Sequence, residues 1–134
     1  MQPDQQPPAQ TTMRNVLVIE DEPFISELYS RALTKGGYYV TTIADGAEAL
    51  KEAEKNIYDI ILLDLMLPNL NGIDILRALR DPARVPPIRS KVIITTNLEQ
   101  REDVRADIER QADGYLVKAE LTPRELVSFL DNIK

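Results

Sequence analysis

The chain has no cysteine and no histidine among its 134 residues. The first absence removes disulfides, thiolate catalysis and zinc–thiolate sites. The second removes the commonest general base and transition-metal ligand, and with it every Ser-His-Asp or Cys-His mechanism. Any chemistry must come from carboxylates, hydroxyls, lysine and a hard metal ion. Aromatic residues are scarce, with two Phe, five Tyr and no Trp, so aliphatic side chains must build the core. No broad basic run occurs and the net charge is −6. Binding to nucleic-acid phosphates needs clustered Lys and Arg, so this segment is expected to bind no nucleic acid. No apolar run approaches the roughly 20 residues that cross a bilayer. No signal-peptide core follows Met1 either. The expectation is a cytoplasmic protein without a membrane partner.

What is present suits one compact domain, with hydrophobic residues making up 43% of the chain. Residues 1–13 are dominated by Gln and Pro with no pattern for burial, and are expected to form a disordered tail. Residues 14–134 then alternate between short apolar runs and helical periodicity. Val16-Leu17-Val18-Ile19 reads as a buried strand. Pro23 opens a helix whose apolar positions are Phe24, Ile25, Leu28, Tyr29, Ala32 and Leu33, and Gly36-Gly37 ends it. Residues 38–43 are β-rich. Asp45 or Gly46 starts a second helix, through about Asn56, with Ala47, Leu50 and Ala53 inward. Ile60-Ile61-Leu62-Leu63 is the most apolar strand and so the central one.

After a Pro68-to-Gly72 loop, Asn71 is placed to cap a helix carrying Ile73, Leu76 and Leu79. A long connection over residues 83–90 leads to the strand Val92-Ile93-Ile94. A charged helix over residues 99–112 turns Val104 and Ile108 inward and leaves a solvated face. Tyr115-Leu116-Val117 is the fifth strand. Thr122-Pro123-Arg124-Glu125 is a capping box that starts the last helix, which packs through Leu126, Val127, Phe129 and Leu130. Five strands alternating with five helices give a doubly wound (βα)5 α/β fold, a parallel sheet covered on both faces.

In such sheets ligands bind beyond the carboxyl ends of the strands, where the strand order reverses. Strand one ends in Glu20-Asp21-Glu22, strand three in Asp64, strand four in Thr95-Thr96 and strand five in Lys118. With strand order 2-1-3-4-5, Glu20, Asp21 and Asp64 converge, while Glu22 is expected to be solvated. Crowded carboxylates repel one another. A magnesium ion relieves them, because it takes one or two carboxylates and completes its shell with water and phosphate oxygens. A carboxylate can itself attack phosphorus and form an aspartyl phosphate. Lysine and a threonine hydroxyl then supply a second cation and a hydrogen bond to the transferred group.

Four motifs in this order resemble the receiver domains of two-component response regulators. They are Val16-Leu17-Val18-Ile19-Glu20-Asp21-Glu22, Leu63-Asp64-Leu65-Met66-Leu67-Pro68 with Gly72, Val92-Ile93-Ile94-Thr95-Thr96, and Asp113-Gly114-Tyr115-Leu116-Val117-Lys118. The resemblance implies a flavodoxin-like receiver fold and makes Asp64 the phosphoacceptor. It implies Mg2+ (or Mn2+) held by Asp21, Asp64 and the backbone carbonyl of Met66, with Glu20 acting through a metal-bound water. Lys118 is then the partner of the acyl-phosphate, Thr96 the switch hydroxyl with Thr95 in an apolar slot, and Tyr115 the aromatic that moves with it. The implied donor is a sensor histidine kinase or a phosphotransfer protein. The implied output is a protein partner, or a homodimer, formed through the fourth helix, fifth strand and fifth helix. The chain would catalyse its own phosphorylation and slow dephosphorylation without being a turnover enzyme.

Two positions depart from the family pattern. Ala119 follows Lys118 where proline in a cis peptide is usual, so a trans Lys118–Ala119 bond with a rerouted loop is expected, a non-proline cis bond costing about 2.5–4 kcal/mol. Asn97 stands where a very small residue is usual. With Met66 and Leu98 it adds bulk at the site, from which slow self-hydrolysis of the acyl-phosphate follows as an expectation. A haloacid-dehalogenase-type phosphatase would need an acid two residues after the nucleophile, where this chain has Met66. A flavodoxin-like nucleotide binder would be repelled by Glu20-Asp21-Glu22. A receiver-like module that is never phosphorylated is disfavoured by the intact acid, Thr and Lys set.

Overall fold

The computed structural model describes residues 14–97 and 100–133. The expected tail over residues 1–13, and Leu98 and Glu99, lie outside the described residues. In chain order the elements are β1 (Asn15–Ile19), α1 (Pro23–Lys35), β2 (Tyr39–Ile43), α2 (Gly46–Ala53), β3 (Ile60–Asp64), α3 (Gly72–Leu79), β4 (Lys91–Thr96), α4 (Glu102–Gln111), β5 (Gly114–Val117) and α5 (Pro123–Asp131). A 3-10 turn over Lys118–Glu120 separates the last two.

The strands form one parallel sheet, as the alternation of elements predicts, in the order β2-β1-β3-β4-β5 of the receiver fold that the resemblance implies. All five residues of β3 are buried, which is why its sequence lacks alternation: helices cover both of its faces. Val16, Val18, Ile60, Leu62 and Ile93 pack on one face against Tyr29 and Leu33 of α1 and Leu126 and Leu130 of α5. Leu17, Ile19, Ile61, Leu63, Val92 and Ile94 pack on the other against α2, α3 and Ile108 of α4. Each such aliphatic side chain contributes about 1.5–3 kcal/mol by leaving water.

The helix ends follow the sequence signals. Thr122 and Glu125 form the expected capping box, with both reciprocal bonds present. Asn71 caps α3 by accepting from the Asp74 amide at 3.0 Å, and Asp45 caps α2 by accepting from the Glu48 amide at 2.9 Å. Gly37 leaves α1 at φ +99°, in the left-handed region that favours glycine.

Three details differ from the expectation. Ala47 is exposed, and Gly46, Ala49 and Ala53 are the buried residues of α2. An alanine contributes so little periodic signal that the phase of an eight-residue helix is easily misread. Helix α2 ends at Ala53, and Asn56 lies beyond it at φ +58°. Phe24, counted in the apolar stripe of α1, stands 72% exposed at the helix start.

Candidate functional site

The register of β1 on β3, with Ile19 opposite Leu63, sets Glu20 beside Asp64 at the carboxyl edge of the sheet. Glu20 and Asp64 are almost fully buried, while Asp21 and Glu22 are exposed. Burying two carboxylates side by side is costly unless a cation joins them. Lys118, at the start of the 3-10 turn after β5, supplies it. Its Nζ donates to Glu20 Oε1 at 2.5 Å and lies 3.2 Å from Asp64 Oδ2. Burial alone would lower the Lys118 pKa. The hydrogen bond to Glu20 and the charges of Asp64 and Glu20 outweigh that and hold it above the ordinary lysine value. Burial pushes the Glu20 carboxyl up, against the pull of Lys118, and the charge of Asp64 adds to the rise.

Backbone amides orient both acids. The Met66 N–H donates to Asp64 Oδ1 at 3.0 Å and the Glu22 N–H to Glu20 Oε2 at 3.1 Å. Gly72 begins α3 directly beneath β3: a Cβ there would stand 2.4 Å from the Asp64 carbonyl oxygen. Its N–H donates to the Leu65 carbonyl at 3.0 Å.

Glu20, Asp21 and Asp64 each offer a carboxylate oxygen, and the three oxygens lie within 4.8 Å of one another. An all-oxygen anionic donor set of this kind suits a hard divalent cation and offers nothing to a soft one. The structure therefore brings together the acids and the lysine that the sequence nominates. Met66 joins them through its backbone, with its side chain 68% exposed.

Thr95 and Thr96 are both buried. In the sheet register Thr95 is opposite Asp64 and Tyr115 is opposite Ile94. Strand alternation gives Thr95 the row of Ile93, and Thr96 the row of Val92 and Ile94, which is the row of Tyr115. Tyr115 is itself buried. Its hydroxyl accepts from the Gln100 amide at 3.1 Å, and the Arg105 guanidinium lies 4.4 Å over its ring. Asn97 is exposed. The Lys118–Ala119 peptide is trans as expected, the one cis peptide among the described residues being Val85–Pro86. A 3-10 turn over Lys118–Glu120 follows β5.

Some groups were not singled out from the sequence. The Asn69 amide donates to Asp45 Oδ1, joining the loop after β3 to the start of α2. The sequence marks Pro68-to-Gly72 as a loop and Asp45 or Gly46 as a helix start, but nothing local pairs them. Arg80, after α3, donates to the carbonyls of Gln111 at 3.0 Å and Ser90 at 2.9 Å and to the Asp113 carboxylate at 2.9 Å. It ties the end of α3 to the starts of β4 and β5 at the amino-terminal edge of the sheet, the edge opposite the acids.

Residues 16–131 match the family model of the response regulator receiver domain. The chain is 36% identical over 118 residues to the DNA-binding response regulator MtrA of Mycolicibacterium smegmatis, covering 88% of this chain and 49% of that protein. It is 38% identical over 113 residues to the alkaline phosphatase synthesis transcriptional regulatory protein PhoP of Bacillus subtilis, covering 84% of this chain and 45% of that one. It thus spans about half the length of these curated relatives. Among solved structures, the chemotaxis response regulator CheY4 of Vibrio cholerae superposes with a TM-score of 0.76 at 31% identity, over 90% of this chain and 98% of that one. The buried acid pair, its lysine and the strand order that joins them thus lie within a matched sequence family, and the chain belongs to the response regulator receiver domains of two-component signal transduction.

Proposed function

We propose that this receiver domain takes a phosphoryl group from a phosphohistidine donor onto Asp64 and passes the event on through α4, β5 and α5. The observation that carries the reading is the convergence of two buried carboxylates, an exposed third and one lysine at the switch point of the sheet.

Asp64 presents a carboxylate oxygen to phosphorus, in line with the phosphorus–nitrogen bond of the donor. The new oxygen–phosphorus bond forms as that bond breaks, and its electron pair stays on the departing imidazole. Lys118 stands within reach of Asp64 and neutralises charge on the transferred group. Asp21, Asp64 and the Met66 carbonyl are the residues to hold Mg2+ (or Mn2+), with Glu20 acting through a bound water. When bound, the ion neutralises phosphoryl oxygens. The Thr96 hydroxyl donates to the modified aspartate, and Tyr115 shifts on the same row of the sheet. That movement biases a two-state equilibrium of the α4-β5-α5 face towards a protein partner or a second copy of the chain.

The donor is a sensor histidine kinase or phosphotransfer protein in the cytoplasm. The chain promotes its own phosphorylation and slow hydrolysis without turning over a separate substrate. Met66 lacks a proton-transfer group two residues after Asp64, and Asn97 adds bulk at the end of β4. Decay of the acyl-phosphate as fast as in chemotaxis-type regulators, measured after donor removal, contradicts slow hydrolysis. The central test is intact mass after treatment with a small acyl phosphate and Mg2+. One phosphoryl increment is expected in the wild-type chain and none in Asp64→Asn. An equal increment in both overturns the assignment.

A further inference from the structure

Residues 65–71, between β3 and α3, carry the Met66 amide that orients Asp64 and the Met66 carbonyl assigned above to the metal. The segment has no regular structure, so contacts from neighbouring elements must hold it. Several converge on its outer side. Asn69 sits at φ +69°, a left-handed conformation that Asn adopts more readily than most residues. Its amide donates to Asp45 Oδ1. The other oxygen of Asp45, Oδ2, accepts from the Glu48 amide at 2.9 Å and caps α2. Beside it, a Cβ added at Gly46 would stand 2.3 Å from the Leu70 carbonyl oxygen, so the two backbones meet with no room for a side chain.

One carboxylate therefore ties two elements with two separate oxygens. A helix cap needs a single oxygen, as serine caps show. The bond from Asn69 to the second oxygen is surplus to α2, and its effect falls on the loop.

We propose that Asp45, Gly46 and Asn69 form a clamp on the β3–α3 loop, and that Asp45 and Asn69 are thereby positioning residues for metal binding at Asp64. The inference rests on the metal assignment made under the proposed function. Two substitutions separate the clamp from the helix cap. Asn69→Gly keeps access to positive φ and removes the amide. Asp45→Ser keeps a capping oxygen and removes the arm that reaches Asn69.

The test titrates Mg2+ into the unphosphorylated chain, following backbone amide shifts around Asp64 by NMR. Each single variant is expected to weaken Mg2+ binding about tenfold, the low end of what outer partners of metal ligands contribute. The double variant is expected to lose no more than the weaker-binding single, because both remove one shared contact. Without metal, hydrogen exchange at the Gly72 amide should quicken in both singles, with the α2 amides unchanged in Asp45→Ser. Wild-type affinity in both singles, or losses that multiply in the double, overturns the clamp. If the wild-type chain binds Mg2+ but takes no phosphoryl group, the phosphoacceptor reading falls and the clamp is still decided by these affinities. If it binds no Mg2+, both fall.

Discussion

The layer under α1 and α5 and the layer under α2, α3 and α4 are both chiefly aliphatic, yet they end differently at the carboxyl edge of the sheet. On β3 the row of Ile60 and Leu62 faces α1 and α5, and Asp64 is its next member, with Thr95 opposite in register. Tyr29 of α1 lies in this layer. Burial raises its hydroxyl pKa, while the charge of Lys118 opposes the rise and those of Glu20 and Asp64 add to it. The opposite row, Val92 and Ile94, ends at Thr96 and neighbours Tyr115. One layer thus terminates in the charged group and the other in the hydroxyl and aromatic. Adjacent residues of a single strand, Thr95 and Thr96, join the two. The lesson is that pleating alone sets the buried acid and the Thr96–Tyr115 row on opposite faces of one sheet.

The largest effect should come from deleting matched core volume on either side. Leu62→Ala and Leu63→Ala, both fully buried, are each expected to cost about 2–5 kcal/mol in urea unfolding. A loss below about 1 kcal/mol for either would show that its layer collapses around the cavity, which breaks the equivalence of the two layers.

Next comes the charge that belongs to one layer only. Lys118→Met leaves Glu20 and Asp64 facing each other without the ammonium. In chelator it should destabilise by about 2 kcal/mol, less than a wholly enclosed pair would lose because the site opens to solvent beside Asp21. Added Mg2+ should recover much of that loss. Equal stability of the variant with and without Mg2+ would contradict cation replacement at this edge.

A smaller effect is expected at the amino-terminal margin of the α1–α5 layer, where the Tyr38 hydroxyl donates to Asp131 at 2.6 Å. Tyr38→Phe should cost about 1 kcal/mol. Burial, then the bond to Asp131, push the Tyr38 pKa up to about 12. The folded chain therefore holds this proton more tightly than the unfolded chain, whose tyrosines titrate near about 10. The stability it contributes is whole below about pH 10 and falls as pH rises through 12. Unfolding measured across that window should show a decline that is shallower in Tyr38→Phe, the remainder coming from Tyr29 and Tyr58, whose pKa values burial also raises.

The smallest energetic effect separates the two threonines. Thr95→Val and Thr96→Val should each shift stability by no more than about 1 kcal/mol. Only Thr96→Val should uncouple Tyr115 from the modified aspartate, read by NMR of fluorinated tyrosine with beryllium fluoride as phosphoryl mimic. Uncoupling by Thr95→Val instead would move the switch hydroxyl to Thr95.

The parallel sheet, the central β3 and the acids at strand ends were legible in the chain, and the strand order that makes them converge came from the resemblance. Buried parallel strands read as unbroken apolar runs, so the polar residue after each run marks the edge. Helix caps at Asn71 and Thr122 were legible for a similar reason, since cap chemistry is local. The ion pair of Lys118 with Glu20 was not, because the sequence pointed the lysine at a phosphate and gave no sign of its partner without one. The Asp45–Asn69 contact and the spread of Arg80 over three segments depend on how loops approach one another. No spacing rule reports that.

Gly72 has a mechanical consequence. With hydrogen in place of a side chain, the first turn of α3 bears directly on the peptide of Asp64. Such a joint has no backlash. Backbone stands on backbone there, so the position of the Asp64 peptide and the position of the first turn of α3 are set together.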